Sequence, residues 1–311
     1  MPRMVLLEPR ATDGAGEAAF ASFPGGGFVV ASRNPHAHWP PKGELLSLKA
    51  VLDGTEEFQI GRRRLEIRPG RCLLVPQGLP YASRVTSPTV AMCPIFFSRR
   101  DGREVSAVLE ATPEEDLLEG GGQGKDPEAV LLPRDPRVAA AVKRIWQRLR
   151  KAAAETPAET DSVRMEAPDA VALQSAVLES LAMALDGCER LRRRLDRLGA
   201  TRHATREEIH LRLARAEDRL HAEFGRPLSL ADLARTACMS PYHFLRRFSE
   251  FHGEPPHRRL VRIRMNHARR LAGKGGLQTA EIARACGYRS VPSFIRAYRR
   301  FWGSTPGGLP A

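Results

Sequence analysis

The sequence contains no uninterrupted apolar run long enough to cross a bilayer. Its first twenty residues also lack the basic start and apolar segment of a secretory signal, because charged residues interrupt them throughout. The five cysteines are scattered and form no C-x-x-C pair, so we expect reduced packing residues rather than a disulfide framework or a redox or metal site. These absences predict a cytoplasmic protein with no membrane partner.

Basic residues are unevenly distributed along the 311-residue chain. Residues 201–311 hold 21 Lys and Arg against 9 Asp and Glu, a balance of +12, whereas residues 1–200 hold 28 against 27. A solvated surface normally mixes both signs of charge. An excess of one sign in one segment is typical of a domain that binds a polyanion, and nucleic acid is the favoured partner.

The basic third of the chain contains an internal duplication. Residues 231–235 align with residues 280–284 at an offset of 49, and the offset becomes 50 after one extra turn residue near Arg289. With that offset Ser240, Phe244, Arg246, Phe248, Gly253 and Pro256 align with Ser290, Phe294, Arg296, Tyr298, Gly303 and Pro306. A unit repeated only twice is too short for a solenoid, so we interpret it as one helical unit used twice.

The first copy is predicted to be a helix, a tight turn and a second helix. Ser229 is a plausible N-cap with Asp232 three residues later, and Ser240 is expected to cap a second helix that begins at Pro241. The second helix should bury one aromatic face, made of Phe244, Phe248 and Phe251. Its other face carries Tyr242, His243, Arg246 and Arg247.

The second copy repeats this plan, with Ser290 as the cap of its second helix. Gly287 supplies a left-handed turn residue at little cost, whereas the first copy has Cys238 there and should be mildly strained. The predicted buried stripe is Phe294, Tyr298 and Phe301. The predicted exposed residues are Ser293, Arg296, Arg299 and Arg300.

A helix pair with arginines on its exposed face is what a major-groove reader requires, although a helical bundle with basic outer faces would show the same pattern. Residues 256–272 between the copies have helical spacing and would span about 25 Å. We expect this rod to present two reading helices to successive major grooves, with Arg262 as a phosphate contact. Upstream, Thr205 and Glu208 predict a capping box for a helix that stops at Gly225.

Residues 205–306 resemble the DNA-binding domain of the AraC/XylS family. The resemblance rests on S-P-x-x-F-x-R-x-F from Ser240 and on I-A-x-x-C-G-Y-x-S-x-x-S-F-x-R-x-Y-R-R-F-x-G-x-x-P from Ile282. It implies a transcription regulator with a double helix-turn-helix, homodimerisation, a contact with RNA polymerase and an effector-binding N-terminal part. It also implies base contacts from Tyr242, Arg246, Ser293 and Arg296. Leu245 and Pro292 depart from the usual pattern, so base preference is not transferred.

The neutral N-terminal part is predicted to be a β domain. Apolar residues alternate in fragments that end at turn residues such as Gly61 and the Pro69-Gly70 pair. The stretch from Gly70 to Tyr81 resembles the second cupin motif, with Tyr81 in place of its histidine. We expect a barrel mouth that binds a small organic effector through His36, His38, Trp39 and Tyr81.

A metal in this barrel is the less favoured interpretation. His36 and His38 would share one face of a strand, and Glu44 follows them, but the third histidine of a cupin metal site is replaced by Tyr81. We therefore predict no metal and no cofactor. The remaining alternative is that these side chains only fill the barrel.

The connector is predicted to hold a linker over residues 111–135, a helix from about Pro136 to Ala153 and a long helix from Ala170 to Leu198. The long helix carries apolar residues at spacings of four and three, namely Val177, Leu181, Ala184, Cys188, Leu191, Leu195 and Leu198. This seam fits either a helical hairpin packed on its own barrel or a dimer interface, and we favour the dimer.

The sequence thus predicts a multidomain α+β protein. Residues 1–112 form a cupin-like effector-binding β-barrel, residues 113–200 a helical connector, and residues 201–311 an all-α double helix-turn-helix. The predicted function is effector-responsive, sequence-specific regulation of transcription on double-stranded DNA, without catalysis. The alternatives are a metal-dependent cupin enzyme fused to a DNA-tethering domain and an effector-independent DNA-binding activator.

Overall fold

The structure is a computed structural model that describes residues 5–7, 18–22, 27–32, 38–39, 45–88, 90–98, 129–155, 162–164, 167–199 and 203–306. The chain divides into two compact units, Met1–Leu191 and Arg192–Ala311. The first unit is rich in β-strands and the second is helical. The coarse division into a β-rich N-terminal part and an all-α C-terminal part is therefore as predicted.

The strands of the first unit form two antiparallel sheets and one separate pair. In chain order they are β1 (Val5–Leu7), β2 (Ala18–Ser22), β3 (Phe28–Ser32), β4 (His38–Trp39), β5 (Ser47–Asp53), β6 (Glu56–Ile60), β7 (Arg63–Ile67), β8 (Cys72–Val75), β9 (Ala82–Val85), β10 (Ala91–Met92), β11 (Ile95–Phe96), β12 (Val130–Leu131) and β13 (Ser162–Arg164). The larger sheet joins β2, β3, β5, β8, β10, β11 and β12, the smaller has the order β4-β9-β6-β7, and β1 pairs with β13.

The alternation predicted for the strands is present in the hairpin of β6 and β7. Phe58 lies opposite Leu65 in the pairing register, and both side chains are buried while their neighbours along the strands are more exposed. Gly61 turns this hairpin and Gly70 turns the chain into β8, both with positive φ. Among the described strands the two sheets do not join into a closed barrel, so the barrel itself is not confirmed.

Two helices cover one face of the larger sheet, α1 (Pro136–Ala154) and α2 (Ala167–Asp196). Their apolar faces share one buried core with alternate strand residues such as Leu48, Leu74 and Ile95. Val177, Leu181 and Ala184, the first half of the predicted seam, belong to this core, and the later seam residues Leu191, Leu195 and Leu198 are also buried.

The dimer interpretation of the seam is therefore wrong for these residues, and the alternative of packing within the chain is correct. The same three-and-four spacing describes any helix that buries one stripe, so the pattern does not distinguish the two cases. The stretch Pro168–Asp196 is also long and apolar enough to cross a membrane by length and composition alone. Its role in the core of the first unit accounts for that composition.

The second unit contains two helix pairs separated by one long helix. Its helices are α3 (His203–Glu223), α4 (Leu230–Thr236), α5 (Pro241–His252), α6 (Pro256–Lys274), α7 (Thr279–Ala285) and α8 (Val291–Trp302). The capping box predicted at Thr205 is wrong, because α3 begins two residues earlier. Glu208 instead pairs with Arg212 one turn further along the helix.

Candidate nucleic-acid interface

The first helix pair is set by hydrogen bonds at its two helix starts. Ser229 Oγ accepts from the backbone N–H of Asp232, whose carboxylate accepts from the N–H of Ser229, so the predicted capping box of α4 is confirmed. Ser240 Oγ accepts from the N–H of His243 at the start of α5. Cys238 between the helices has φ of 52°, the strained left-handed conformation expected for this turn.

Helix α5 buries its aromatic stripe as predicted. Phe244, Phe248 and Phe251 are each at most 2% exposed, and the rings of Phe244 and Phe248 lie 5.3 Å apart. The ring of His210 on α3 stacks at 5.1 Å on Phe251. This packing fixes the rotation of α5, so its opposite face points to solvent.

Three of the four predicted contact residues on α5 lie on this exposed face. Tyr242 is 78% exposed, and His243 and Arg246 are also exposed. Arg246 Nε lies 2.9 Å from a carboxylate oxygen of Glu250. The hydrogen bond and charge of Glu250 raise the pKa of Arg246, so the guanidinium is present as a cation that is partly neutralised by its neighbour.

Arg247, the fourth predicted contact on α5, points inward. Only 18% of its side chain is exposed. Its guanidinium donates to the carbonyl oxygen of Leu198 at 2.7 Å and to Glu250 at 3.0 Å. The sequence placed Arg246 and Arg247 on one face because neighbouring residues differ by only 100° around a helix, and the tertiary partners decide which one turns away.

The second helix pair repeats the first with one change of capping residue. At the start of α7 the Glu281 carboxylate accepts from the backbone N–H of Gln278, and at the start of α8 Ser290 Oγ accepts from the N–H of Ser293. Gly287 has φ of 75°, and a Cβ atom there would lie 2.8 Å from the carbonyl oxygen of Gly225. Both the conformation and the space therefore require glycine in this turn.

The two pairs also end in the same way. Gly253 after α5 and Gly303 after α8 have φ of 71° and 73°, and each donates its N–H at 2.8 Å to the carbonyl oxygen four residues earlier. These positions are equivalent in the duplicated sequence. The duplication is therefore repeated in backbone conformation as well as in residue identity.

The buried stripe of α8 differs from the prediction at its end. Phe294 and Tyr298 are fully buried, but Phe301 is 38% exposed. Trp302 packs against this core instead, and its Nε1 donates to the carbonyl oxygen of Met265 at 3.2 Å. The spacing of four from Phe294 to Tyr298 continues to Trp302, so the stripe drifts around the helix and leaves Phe301 outside.

Every charged residue of α8 is a cation. Arg296, Arg299 and Arg300 are exposed, and α8 contains no acidic residue, whereas α5 contains Glu250. Arg296 donates to the hydroxyl oxygen of Ser293 at 3.1 Å, a neutral partner. The two exposed faces therefore each present an arginine at the aligned position but differ in charge.

Several arginines in and around α6 have structural partners that the sequence did not reveal. Arg259 pairs with buried Glu217 of α3, and Arg262, the predicted phosphate contact, pairs with Glu254 and keeps 40% of its side chain exposed. Arg264 donates to the carbonyl oxygen of Phe224 at 2.8 Å. Much of the positive charge of this helix therefore fixes the position of α6.

Only some of the predicted effector residues lie in the described part of the structure. His36 lies outside the described residues, and His38 and Trp39 form β4 but their side chains are outside the described part. Tyr81 is buried, and its hydroxyl group lies 2.5 Å from Nζ of Lys49. Among the described residues no group of three potential metal ligands is present, and Glu44 also lies outside them.

Two protein families match this chain. Residues 32–168 match the AraC-like ligand binding domain, and residues 233–309 match the helix-turn-helix domain. The two matched segments do not overlap. The second contains α5 and α8, the helices with the exposed arginines.

Curated relatives share the C-terminal part of the chain. The HTH-type transcriptional regulator GlxA of Rhizobium meliloti is 36% identical over 100 residues, and the HTH-type transcriptional regulator ArgR of Pseudomonas aeruginosa is 30% identical over 97 residues. Each alignment spans about a third of this chain and about a third of the relative. A solved structure of the DNA-binding domain of AdpA with a target DNA is 31% identical, covers 30% of this chain and 85% of that chain, and has a TM-score of 0.29.

Proposed function

We propose that the chain is a sequence-specific transcription regulator of the AraC type whose N-terminal domain binds a small-molecule effector. Its similarity to the AraC-like ligand binding domain and to the helix-turn-helix domain supports the proposal. The observation that carries the proposal is the equivalence of the two helix pairs. Each pair has a serine-capped second helix with a buried aromatic stripe and an exposed arginine at the aligned position, Arg246 or Arg296.

The two pairs would then be helix-turn-helix units, with α5 and α8 in the major groove of double-stranded DNA. Tyr242, Arg246, Ser293 and Arg296 face base edges, and His243, Arg299 and Arg300 hold phosphates. Helix α6 has 19 residues and spans about 28 Å at 1.5 Å per residue. That length is comparable to the roughly 34 Å between successive major grooves on one face of a duplex.

We propose a positioning role for Arg247 in place of a direct DNA contact. Its guanidinium is held between Glu250 on its own helix and the Leu198 carbonyl oxygen. A cation that is hydrogen-bonded on the inner side of α5 fixes the helix against the rest of the unit, and so determines where Arg246 points.

The N-terminal domain is proposed to be a cupin-like barrel that binds the effector and has no catalytic role. The protein would act in the cytoplasm as a homodimer and contact RNA polymerase.

The outer face of α2 offers an apolar surface for a second copy. Val171 and Leu178 lie there seven residues apart and are 51% and 50% exposed. Sedimentation equilibrium of Leu178→Glu beside the unchanged chain tests this surface, because only a buried contact would be broken by the charge.

A mobility-shift titration tests the DNA-binding proposal. The full chain is titrated onto duplexes selected from a random library, at several salt concentrations, beside Arg296→Ala and the control Lys143→Ala on α1. The proposal predicts tight, salt-sensitive binding that Arg296→Ala weakens and Lys143→Ala does not. Absence of salt-sensitive binding to any duplex would exclude a DNA-binding role.

A further inference from the structure

A lysine and a glutamate are buried between the two sheets of the N-terminal unit. Lys49 on β5 is 4% exposed and Glu56 on β6 is 7% exposed. The neighbours of Lys49 on its strand, Leu48 and Ala50, belong to the core shared with α1 and α2. Because side chains alternate along a strand, Lys49 points to the other face of the sheet, where it meets Tyr81.

The ammonium group of Lys49 is surrounded by aromatic side chains. Its Nζ lies 2.5 Å from the hydroxyl oxygen of Tyr81 and 3.9 Å from the centre of the Phe96 ring. The ring of Phe58 lies 5.9 Å from that of Tyr81, and the ring of Phe28 stacks on Phe96 at 4.2 Å. The group thus combines one cation with several apolar walls.

The described residues do not use all the hydrogen-bonding capacity of this group. An ammonium group has three donors, and the described structure gives Lys49 one hydrogen bond, to Tyr81. The hydroxyl group of Ser47, two residues earlier on the same strand face, is fully buried beside the Tyr81 hydroxyl group, whose pKa it lowers, and makes no hydrogen bond of ordinary geometry among the described residues. Glu56 accepts a hydrogen bond from Ser83, and its charge opposes the fall in the pKa of Lys49 without a hydrogen bond to the ammonium group among the described residues.

The burial of Lys49 and Tyr81 together is unfavourable for folding by itself. Burial lowers the pKa of Lys49 to about 7 and raises that of Tyr81 to about 12, because both ionised forms lose their hydration. Apolar residues of similar volume would fill the space at lower cost. The unused donors therefore indicate a ligand group that accepts hydrogen bonds, and a carboxylate offers two oxygens for them.

We propose that Lys49, Tyr81 and Ser47 recognise the carboxylate of a small organic acid whose apolar body lies against Phe58 and Phe96. This inference rests on the proposed effector-binding role and names the chemical class of the effector. The carboxylate would accept hydrogen bonds from Lys49 and Ser47. The aromatic side chains would cover the hydrocarbon part of the molecule.

Thermal unfolding and calorimetric titration of the full chain test this site. The probes are butanoate, cyclohexanecarboxylate and 3-phenylpropanoate, each beside its primary amide, which keeps the shape but removes the charge. We expect at least one carboxylate to raise the melting temperature and its amide to have no effect. In Lys49→Met the effect should disappear, and in the control Lys143→Met the effect should remain.

Two further variants keep the test decisive if Lys49→Met does not fold. Tyr81→Phe and Ser47→Ala each remove one hydroxyl group and should weaken carboxylate binding about tenfold or less, without loss of the fold. Failure of every carboxylate to bind the unchanged chain, or full binding by both hydroxyl variants, would overturn the assignment. Mobility shifts of the same preparations report DNA binding separately, so failure of this site is distinguished from failure of the proposed function.

Discussion

Arg247 donates a 2.7 Å hydrogen bond to the carbonyl oxygen of Leu198, the residue two positions after the end of α2. The same guanidinium contacts Glu250, and Arg194 lies 5.7 Å from the centre of the Phe251 ring. These contacts connect residues that precede the first helix pair to the inner side of its exposed helix α5. The relationship predicts that α5 is positioned by a cation that does not touch DNA.

Arg247→Ala should lower the free energy of unfolding by about 1.5–3 kcal/mol, the usual contribution of a hydrogen bond made by a charged group. Arg299→Ala, on the exposed face of α8, is the matched control and should change stability by less than about 0.5 kcal/mol. Denaturant titration measures both values. The salt dependence of DNA binding should keep its slope in Arg247→Ala and become shallower in Arg299→Ala. The opposite pattern would make Arg247 a phosphate contact.

The exposed Arg296 on α8 gives a second prediction. Arg296→Ala should weaken binding to a selected duplex by about 1–3 kcal/mol and leave nonspecific binding nearly unchanged, because a bidentate base contact is lost. Competition mobility shifts with random-sequence DNA separate the two quantities. An equal loss in specific and nonspecific affinity would assign Arg296 to the phosphate backbone.

Glu250→Gln should have the opposite effect on DNA affinity. The carboxylate faces Arg246 at 2.9 Å, so its removal leaves that cation unneutralised while the amide still accepts a hydrogen bond. We expect roughly two- to fivefold tighter binding at low salt, with the gain fading at high salt. Weaker binding by this variant would show that Glu250 acts chiefly by holding the arginines in place.

Gly287 offers a test of the turn in the second pair. Gly287→Ala would place a methyl group 2.8 Å from the Gly225 carbonyl oxygen in a left-handed conformation, and should cost roughly 1–3 kcal/mol of stability. Gly273→Ala is the control, because nothing lies within 4 Å of the added atom and helix α6 favours alanine there. That variant should be as stable as the unchanged chain or more so. Equal stabilities for both variants would contradict the turn described here.

Asp232 predicts a pH dependence. Hydrogen bonds from the Ser229 hydroxyl and from its backbone N–H hold the pKa of this carboxyl below its usual 3.8. A carboxyl group whose pKa is lower in the folded state contributes stability above its unfolded-state pKa. That contribution is lost as the pH falls through the folded-state pKa. The stability difference between the unchanged chain and Asp232→Asn should therefore be constant near neutral pH and shrink below about pH 4. If this stability difference stays constant in acid, the Asp232 carboxylate does not contribute to the cap.

Local signals predicted most of the helical unit. Ser229, Ser240 and Ser290 mark three helix starts because a side-chain oxygen can satisfy free backbone N–H groups only at such positions. The aromatic stripe of α5 follows from spacing alone, and the strain at Cys238 follows from its alignment with Gly287. Each of these features depends on residues within one turn of each other.

The rest depends on partners far away in sequence. The inward direction of Arg247 is set by Leu198, and the burial of Lys49 is set by Tyr81, 32 residues later. The sequence signal for such a buried polar group is a polar residue that shares a strand face with buried residues. Ser47 and Lys49 share such a face on β5, as Glu56 and Phe58 do on β6.

Helices α5 and α8 are proposed to read two consecutive major grooves from one side of a duplex. Hydroxyl-radical footprinting of the full chain on its selected duplex measures this directly. We expect two protected patches on one face of the DNA, about 10 base pairs apart, with the Arg296→Ala variant losing one of them. A single protected patch, or two patches on opposite faces, would contradict it.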